Sequence, residues 1–180
     1  MWFRALILSA VVLVFGVSFK LLSAVIGITS PWLALLLMFY FLGTAKVAEP
    51  LFSLSMPSAL FKLRRWEQDG DVLRMLHVFS FGRLLRRTPL RYLNSSVYLD
   101  RQLGSLAKIR QQAEAAEATH FWAAVLFTPC IVFAATSSQW GIFAWFSIAQ
   151  VFVNIYPILH LRHIRGRLDR TICRAKGKVQ

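Results

Sequence analysis

Three side chains that could move a proton lie at helical spacing in the second half of the chain: Glu114, Glu117 and His120. Residues three positions apart share one face of an α-helix, so these groups are expected to lie near one another. A carboxylate beside an imidazole orients the ring and raises its basicity, and such a pair can act as a general base. We therefore predict His120 as the catalytic base and Glu117 as its orienting partner. The alternative is an interfacial helix whose polar residues only meet water.

A second group of polar residues follows closer to the C-terminus. Asn154 is an amide within an apolar run, and such groups usually face protein or a cavity rather than lipid. Pro157 has no N–H, so it leaves the carbonyl of Val153 without its helical donor and is expected to kink the helix. For the arginines, the alternative role is a positively charged stop at the end of a membrane span. The candidate substrate-binding residues of this stretch are Asn154, His160, Arg162 and Arg165.

The elements that carry these residues are expected to be transmembrane helices. Hydrophobic residues make up 57% of the 180-residue chain, too many for a surface that meets only water. About 20 apolar residues cross the hydrocarbon core of a bilayer, and four runs approach this length. We predict an all-α polytopic membrane protein with about four spans and a cytoplasmic interfacial helical segment. The predicted spans are residues 5–26, 31–48, 120–137 and 140–160.

The distribution of charge predicts the orientation of these spans in the cell membrane. The links between the paired spans carry no charge, whereas residues 49–118 contain eleven Lys/Arg against seven Asp/Glu and residues 161–180 contain seven against one. By the positive-inside rule, both termini and the middle segment are cytoplasmic. The net charge of +13 would favour nucleic acid in a soluble protein, but here it favours orientation and contact with anionic membrane lipids, without nucleic acid.

The same pattern predicts four segments along the chain. These are a helix pair at 1–48, a basic interfacial segment at 49–118, a second helix pair at 119–161 and a basic tail at 162–180. Within the middle segment, residues 58–66 mix apolar and basic residues as an interfacial helix does. A polar turn is expected at 68–71. Residues 94–96 then offer a cap for a helix that runs from about Val97 into the third span.

The short link between the last two spans makes these helices antiparallel neighbours. Counting outward from this link places Glu117 level with His160 and His120 level with Pro157. Asn154 falls near Ala123, one turn from His120. The two polar groups are thus expected to converge at one membrane depth on the cytoplasmic side.

Several kinds of chemistry do not fit this sequence. Four histidines are too few for a membrane di-iron site, and neither a phosphate-binding glycine loop nor a paired-cysteine metal motif is present. The histidine and aspartate pair of glycerolipid acyltransferases is missing too, because Val125 follows His120 and Gly82 follows His77 at that spacing. A transporter is disfavoured by the absence of internal repeats. We predict neither a metal nor a cofactor.

One set of residues, spread over about positions 60–170, forms a pattern that is shared with a known family. Its members are Trp66, Glu67, Gly70, the stretch 82–94, Ala116, Glu117, His120, Asn154, Pro157, Arg162, Arg165, Gly166 and Arg167. In these residues the chain resembles the glycosyl-4,4'-diaponeurosporenoate acyltransferase family of bacterial membrane proteins, whose named member attaches a fatty acyl chain to the sugar of a glycosylated carotenoid. The chain departs from the family after the last span, where Leu161, His163 and Ile164 stand in place of Gln, Tyr and Asn.

The resemblance implies an acyltransferase that moves a fatty acyl group from a thioester or lipid donor to a hydroxyl of a lipophilic alcohol, such as a glycosylated carotenoid or another glycolipid. In this hypothesis His120 takes the hydroxyl proton, Asn154 binds the carbonyl oxygen, and Arg162 and Arg165 hold an anionic donor. Direct transfer is expected, because no serine or cysteine is clearly placed beside His120. Two alternatives are a non-catalytic membrane scaffold and an anionic-lipid-binding protein.

Overall fold

The computed structural model describes residues 2–27, 29–64, 66–67, 70–88 and 106–176. Within these ranges the chain contains helices and no β-strand, which confirms the all-α prediction. A π-helical turn, Val151–Ile155, joins the last two helices. The α-helices are α1 Trp2–Ile26, α2 Pro31–Phe52, α3 Ser58–Phe61, α4 Asp71–Met75, α5 Val78–Arg87, α6 Leu106–Thr136, α7 Trp140–Gln150 and α8 Tyr156–Lys176.

Among the described residues, four helical stretches are long and apolar enough to cross a membrane, as predicted. They are Trp2–Ile26, Pro31–Phe52, Leu106–Thr136 and Trp140–Arg174. The last two are longer than the predicted spans because polar turns rich in good helix formers continue each apolar run. The candidate site residues therefore lie on helices rather than on loops.

The chain forms two compact units, and the first consists of residues 1–54 and 118–155. Its core cluster is Met38, Phe127 and Ala149, contributed by α2, α6 and α7. Helix α1 has no buried residue and packs on α2 through Phe15, whose ring stacks on Tyr40 at 4.6 Å between centroids. This core lies beside the polar residues that α6 and the π-helical turn bring into the unit.

The second unit consists of residues 55–117 and 156–180. In it the amphipathic helix α5 packs on α8, with Phe79 against the His163 ring at 4.7 Å and Phe81 against Tyr156 at 5.3 Å. The Tyr156 hydroxyl donates to the Leu76 carbonyl at 3.0 Å. Through these contacts, one face of α8 packs against protein.

The middle segment differs in detail from the prediction. The helix expected over 58–66 is a single turn that ends at Phe61, because Lys62 is extended with ψ near 128°. In the predicted polar turn at 68–71, Gly70 has a φ of 80° and caps α4, which already begins at Asp71, while residues 68 and 69 lie outside the described ranges. The predicted cap at 94–96 and helix start at Val97 also lie outside them, and the described part of that helix, α6, runs unbroken from Leu106 into the third span. The four-segment division stays a prediction.

Candidate active site

In the first unit, His120 on α6 lies beside Asn154 of the π-helical turn. The imidazole is within interaction range of the Asn154 side chain and the Val153 backbone. Asn154 is fully buried, and its Oδ1 atom and the Nδ1 atom of His120 are both buried without a hydrogen-bond partner among the described residues. The structure thus pairs the predicted base with the predicted amide.

The depth of this contact differs from the sequence-based estimate. Asn154 was expected level with Ala123, whereas it meets His120, and the Gln150 side chain reaches the Ala124 carbonyl at 3.1 Å. The estimate assumed a symmetric link between the two helices. Instead α6 closes asymmetrically through Ser138, whose φ is 55°, with the Gln139 N–H bonded back to the Ala134 carbonyl.

A chain of hydrogen bonds determines which atom of the Asn154 side chain remains available for a further hydrogen bond. The backbone carbonyl of Ala124 only accepts, so Gln150 must turn its Nε2 toward it and its Oε1 toward Asn154. Asn154 consequently donates through Nδ2 to Gln150 Oε1 at 2.8 Å, and the same nitrogen lies 3.0 Å from Met38 Sδ. The Asn154 Oδ1 atom therefore remains as an acceptor.

The local sequence explains why this acceptor is presented here. Pro157 supplies no N–H to the carbonyl of Val153, and the chain forms a π-helical turn over Val151–Ile155. Such turns hold one extra residue and are frequent at functional sites. Two groups with a free acceptor, the Val153 backbone and the Asn154 side chain, thus lie beside the His120 ring.

Lys46 is a further charged residue near this ring. It lies on α2 with an exposed side chain, within electrostatic range of the His120 imidazole. No ion pair engages it within the described part of the chain. Its ammonium group is therefore available to an anion.

In the second unit, Glu117 lies in a buried cluster with Arg162 and Arg165. Its Oε1 accepts from Arg162 Nη1 at 3.0 Å and its Oε2 accepts from Arg165 Nη1 at 2.6 Å. Glu67 is the second carboxylate, bound side-on by Arg162 at 2.6 and 2.9 Å. Two carboxylates and two guanidinium groups balance in charge, as buried ions must.

The remaining donors of these arginines hold the irregular chain after α3. Arg162 donates to the carbonyls of Leu60 at 2.6 Å and Lys62 at 3.0 Å. Arg165 donates to the Phe61 carbonyl, and its guanidinium lies 4.2 Å from the centre of the Phe61 ring. These bonds satisfy the carbonyls that the short helix leaves free, which explains why α3 ends where it does.

The second unit thus gives Glu117, Arg162 and Arg165 contacts that were not foreseen. The predicted roles, orientation of His120 by Glu117 and anion binding by the arginines, stay predictions. Every nitrogen of Arg162 already has an acceptor, and Arg165 retains only its buried Nε. The geometry favours these groups as the structural core of the unit.

His160, the other candidate binding residue, packs under α5. The ring lies directly beneath Gly82, where an added Cβ would meet Nδ1 at 2.8 Å and Cε1 at an even shorter distance. Only a residue without a Cβ allows this approach. His160 is thus placed in a helix contact of the second unit.

Four residues of these clusters were not predicted as site residues. Gln150 could have been found, because it lies four residues before Asn154 in the same apolar run and so shares its helical face. Glu67 belongs to the Trp66–Glu67 pair that carried the family resemblance. Nothing in the sequence marked Met38 or Lys46 as a site residue. A methionine within a membrane span and a lysine near the end of one are both common.

Within the described ranges these features define a class: an all-α protein with four helices able to cross a membrane, a half-buried histidine beside a buried amide, and a buried arginine–carboxylate cluster. A model of the glycosyl-4,4'-diaponeurosporenoate acyltransferase family matches residues 57–174, and the chain belongs to this family. The match confirms the resemblance found in the sequence. No curated protein and no solved structure matches the chain.

Proposed function

We propose that this protein is a membrane-embedded acyltransferase that transfers a fatty acyl group to a hydroxyl of a lipophilic acceptor, such as a glycosylated carotenoid or another glycolipid. Membership of the acyltransferase family supports the reaction class. The observation that carries the site is the pairing of His120 with the Asn154 acceptor inside the first unit.

The contacts of His120 favour one tautomer of the ring. Its buried Nδ1 is suited to carry the proton, because the neighbouring groups, Asn154 Oδ1 and the Val153 carbonyl, are acceptors. Nε2 then keeps the lone pair and becomes the basic nitrogen. Asn154 and Val153 thereby take the orienting role that the sequence had suggested for Glu117.

The proposed reaction is a direct transfer. His120 Nε2 accepts the proton of the acceptor hydroxyl while its oxygen bonds to the acyl carbonyl carbon. The bond from that carbon to the donor's sulfur or oxygen breaks, and the proton passes from His120 to the leaving group. The His120 ring is therefore neutral again at the end of the reaction, and the proposed transfer needs no cofactor.

Lys46 is the residue that we assign to an anionic donor. It is exposed, it lies near His120, and it is not engaged in an ion pair with another described residue. The phosphates of a thioester carrier or a lipid headgroup would supply the negative charge. This assignment moves the anion-binding role from Arg162, whose nitrogens all have acceptors, and from Arg165, whose two terminal nitrogens are bonded to a carboxylate and a carbonyl.

The experiment that tests the function compares lipids from cells with and without the protein. Cells are fed isotope-labelled palmitic acid, and extracted lipids and pigments are profiled by mass spectrometry. We expect a labelled ester that depends on the protein, and its mass names the acceptor. Identical profiles, with the protein confirmed in the membrane fraction, would reject the proposed function.

A further inference from the structure

The first unit contains an apolar cavity of about 300 Å³. Helices α1, α2, α6 and α7 form its walls, and its lining includes Phe19, Ala34, Leu37, Cys130, Ala134 and Phe146. Ala34 and Ala134 are buried wall residues with small side chains. The space therefore exists partly because these two positions hold alanine.

The core cluster of the first unit lies between this cavity and the polar network around Asn154. The wall residues Leu37, Cys130 and Phe146 pack against the core cluster of Met38, Phe127 and Ala149. Met38 in turn presents its sulfur to Asn154 Nδ2 at 3.0 Å. Methionine is an adaptable side chain, and here it separates the apolar space from the candidate site.

The distance along α6 sets the size of a molecule that would reach from the site to the cavity. His120 precedes the wall residues Pro129 to Ala134 by nine to fourteen positions, which corresponds to about 14 to 21 Å at the rise of an α-helix. This separation is comparable to the length of an extended long fatty chain and exceeds that of a short one.

We propose that the cavity binds the distal part of the hydrocarbon chain of the transferred acyl group, and that Ala34 and Ala134 set the chain length. The inference rests on the proposed function. An acyl chain fits because it has no polar atoms beyond its carboxyl carbon, and Gln139 is the polar residue of a lining that is otherwise hydrophobic, apart from proline. A flexible chain can also adapt to the part of the wall that Pro129 forms within α6.

The test fills the cavity and reads the chain length of the ester. Ala34→Phe and Ala134→Phe place a ring in the space, and each methylene that no longer fits should reduce use of that chain by about tenfold relative to a shorter one. Ala144→Phe is the matched control, because Ala144 is an exposed residue of α7 in the same unit. Leu37→Ala enlarges the cavity and should shift the ester toward longer chains.

Unchanged chain lengths in both filling variants and in Leu37→Ala, with acylation still present, would overturn the inference and leave the proposed function intact. A separate measurement uses a palmitic acid with a photoreactive diazirine at its far end, added to membranes that hold the protein. We expect crosslinks to the cavity lining that Ala134→Phe removes and Ala144→Phe retains. Crosslinks confined to exposed residues of α1, or equal labelling by a diazirine phospholipid, would contradict the proposal even if no ester is found.

Discussion

Lys46 is an exposed cation within electrostatic range of the candidate base His120. A lysine near the end of an apolar span often serves only to anchor the helix at the membrane surface. Anchoring of the helix and binding of the acyl donor make different demands on this residue. Anchoring requires only a long polar side chain, whereas donor binding requires the positive charge near the ring.

We predict that Lys46→Gln raises the KM for a phosphate-bearing acyl thioester by about tenfold, as expected for the loss of a charge-assisted hydrogen bond. The value of kcat should stay near that of the wild type, and Lys46→Arg should restore most of the affinity. Initial rates in isolated membranes at several donor concentrations give both constants. A KM that Lys46→Gln leaves unchanged would return this residue to an anchoring role.

Glu117 has two candidate roles, and its substitution distinguishes between them. The sequence suggested that it orients His120, while the structure shows both its oxygens bonded to arginine. We predict that Glu117→Gln lowers the free energy of unfolding by about 3 kcal/mol, because it leaves the buried guanidinium groups without a full counter-charge. Thermal unfolding in detergent measures this loss.

Glu114→Gln is the matched control for that experiment, since Glu114 is half-buried on the same helix and pairs with Arg110 nearer the surface. It should change stability by less than about 1 kcal/mol. A Glu117→Gln protein that unfolds at the wild-type temperature but makes no ester would instead support the original orienting role.

At the scale of the elements, the close packing of α5 on α8 depends on Gly82. An added methyl group would collide with the His160 ring, which is itself held within the helix contact. We predict that Gly82→Ala costs about 1–3 kcal/mol of stability through overpacking, despite the better helix propensity of alanine. Thermal unfolding and limited proteolysis between α4 and α6 provide the measurement.

Gly16→Ala offers the opposite case in the same protein. Gly16 lies within α1 and nothing approaches the position where its Cβ would stand. Alanine there should be neutral or slightly stabilising. If Gly82→Ala behaved like Gly16→Ala, the close contact with His160 would not be a feature of the protein in its membrane.

The elements also show what the sequence could and could not predict. Hydropathy was sufficient to predict the four membrane-length helices found in the described part of the chain. The unbroken passage of α6 into the third span followed from its helix-forming residues. The length of α3 could not be predicted, because the chain beyond Phe61 is held by arginines about 100 positions away. Such long-range bonds override the local preference for a helix.

The candidate site was also predictable only in part. The pairing of His120 with Asn154 followed from spacing and from antiparallel packing, within one helical turn. The carboxylates that neutralise the two buried arginines could not be predicted in this way, because Glu67 and Arg162 are 95 positions apart and no helical spacing relates them. Spacing therefore identified the polar residues but not which of them are bonded to each other.

For the whole molecule, the distribution of positive charge predicts the orientation in the membrane. Cys173 lies exposed near the end of α8, in the basic tail, and Ser137 lies in the uncharged turn between α6 and α7. A membrane-impermeant maleimide should label Cys173 only after cells are permeabilised. In a Cys130→Ser, Cys173→Ser background, Ser137→Cys should be labelled in intact cells. Reversed accessibility of the two positions would place the basic segments outside.

The catalytic account of the whole molecule depends on His120, whose ring lies beside Asn154 and the Val153 backbone and whose Nε2 is proposed as the base. The most direct test profiles labelled esters from cells that produce the wild type, His120→Ala, Asn154→Ala or Gln111→Ala at equal membrane levels. Gln111 is exposed on the same helix as His120 and serves as the control.

We expect His120→Ala to lower ester formation by about 10²-fold to 10⁴-fold, as loss of a general base does. Asn154→Ala should lower it by about 10²-fold through misplacement of the ring, and Gln111→Ala should match the wild type. Undiminished ester in the His120→Ala protein would contradict the account.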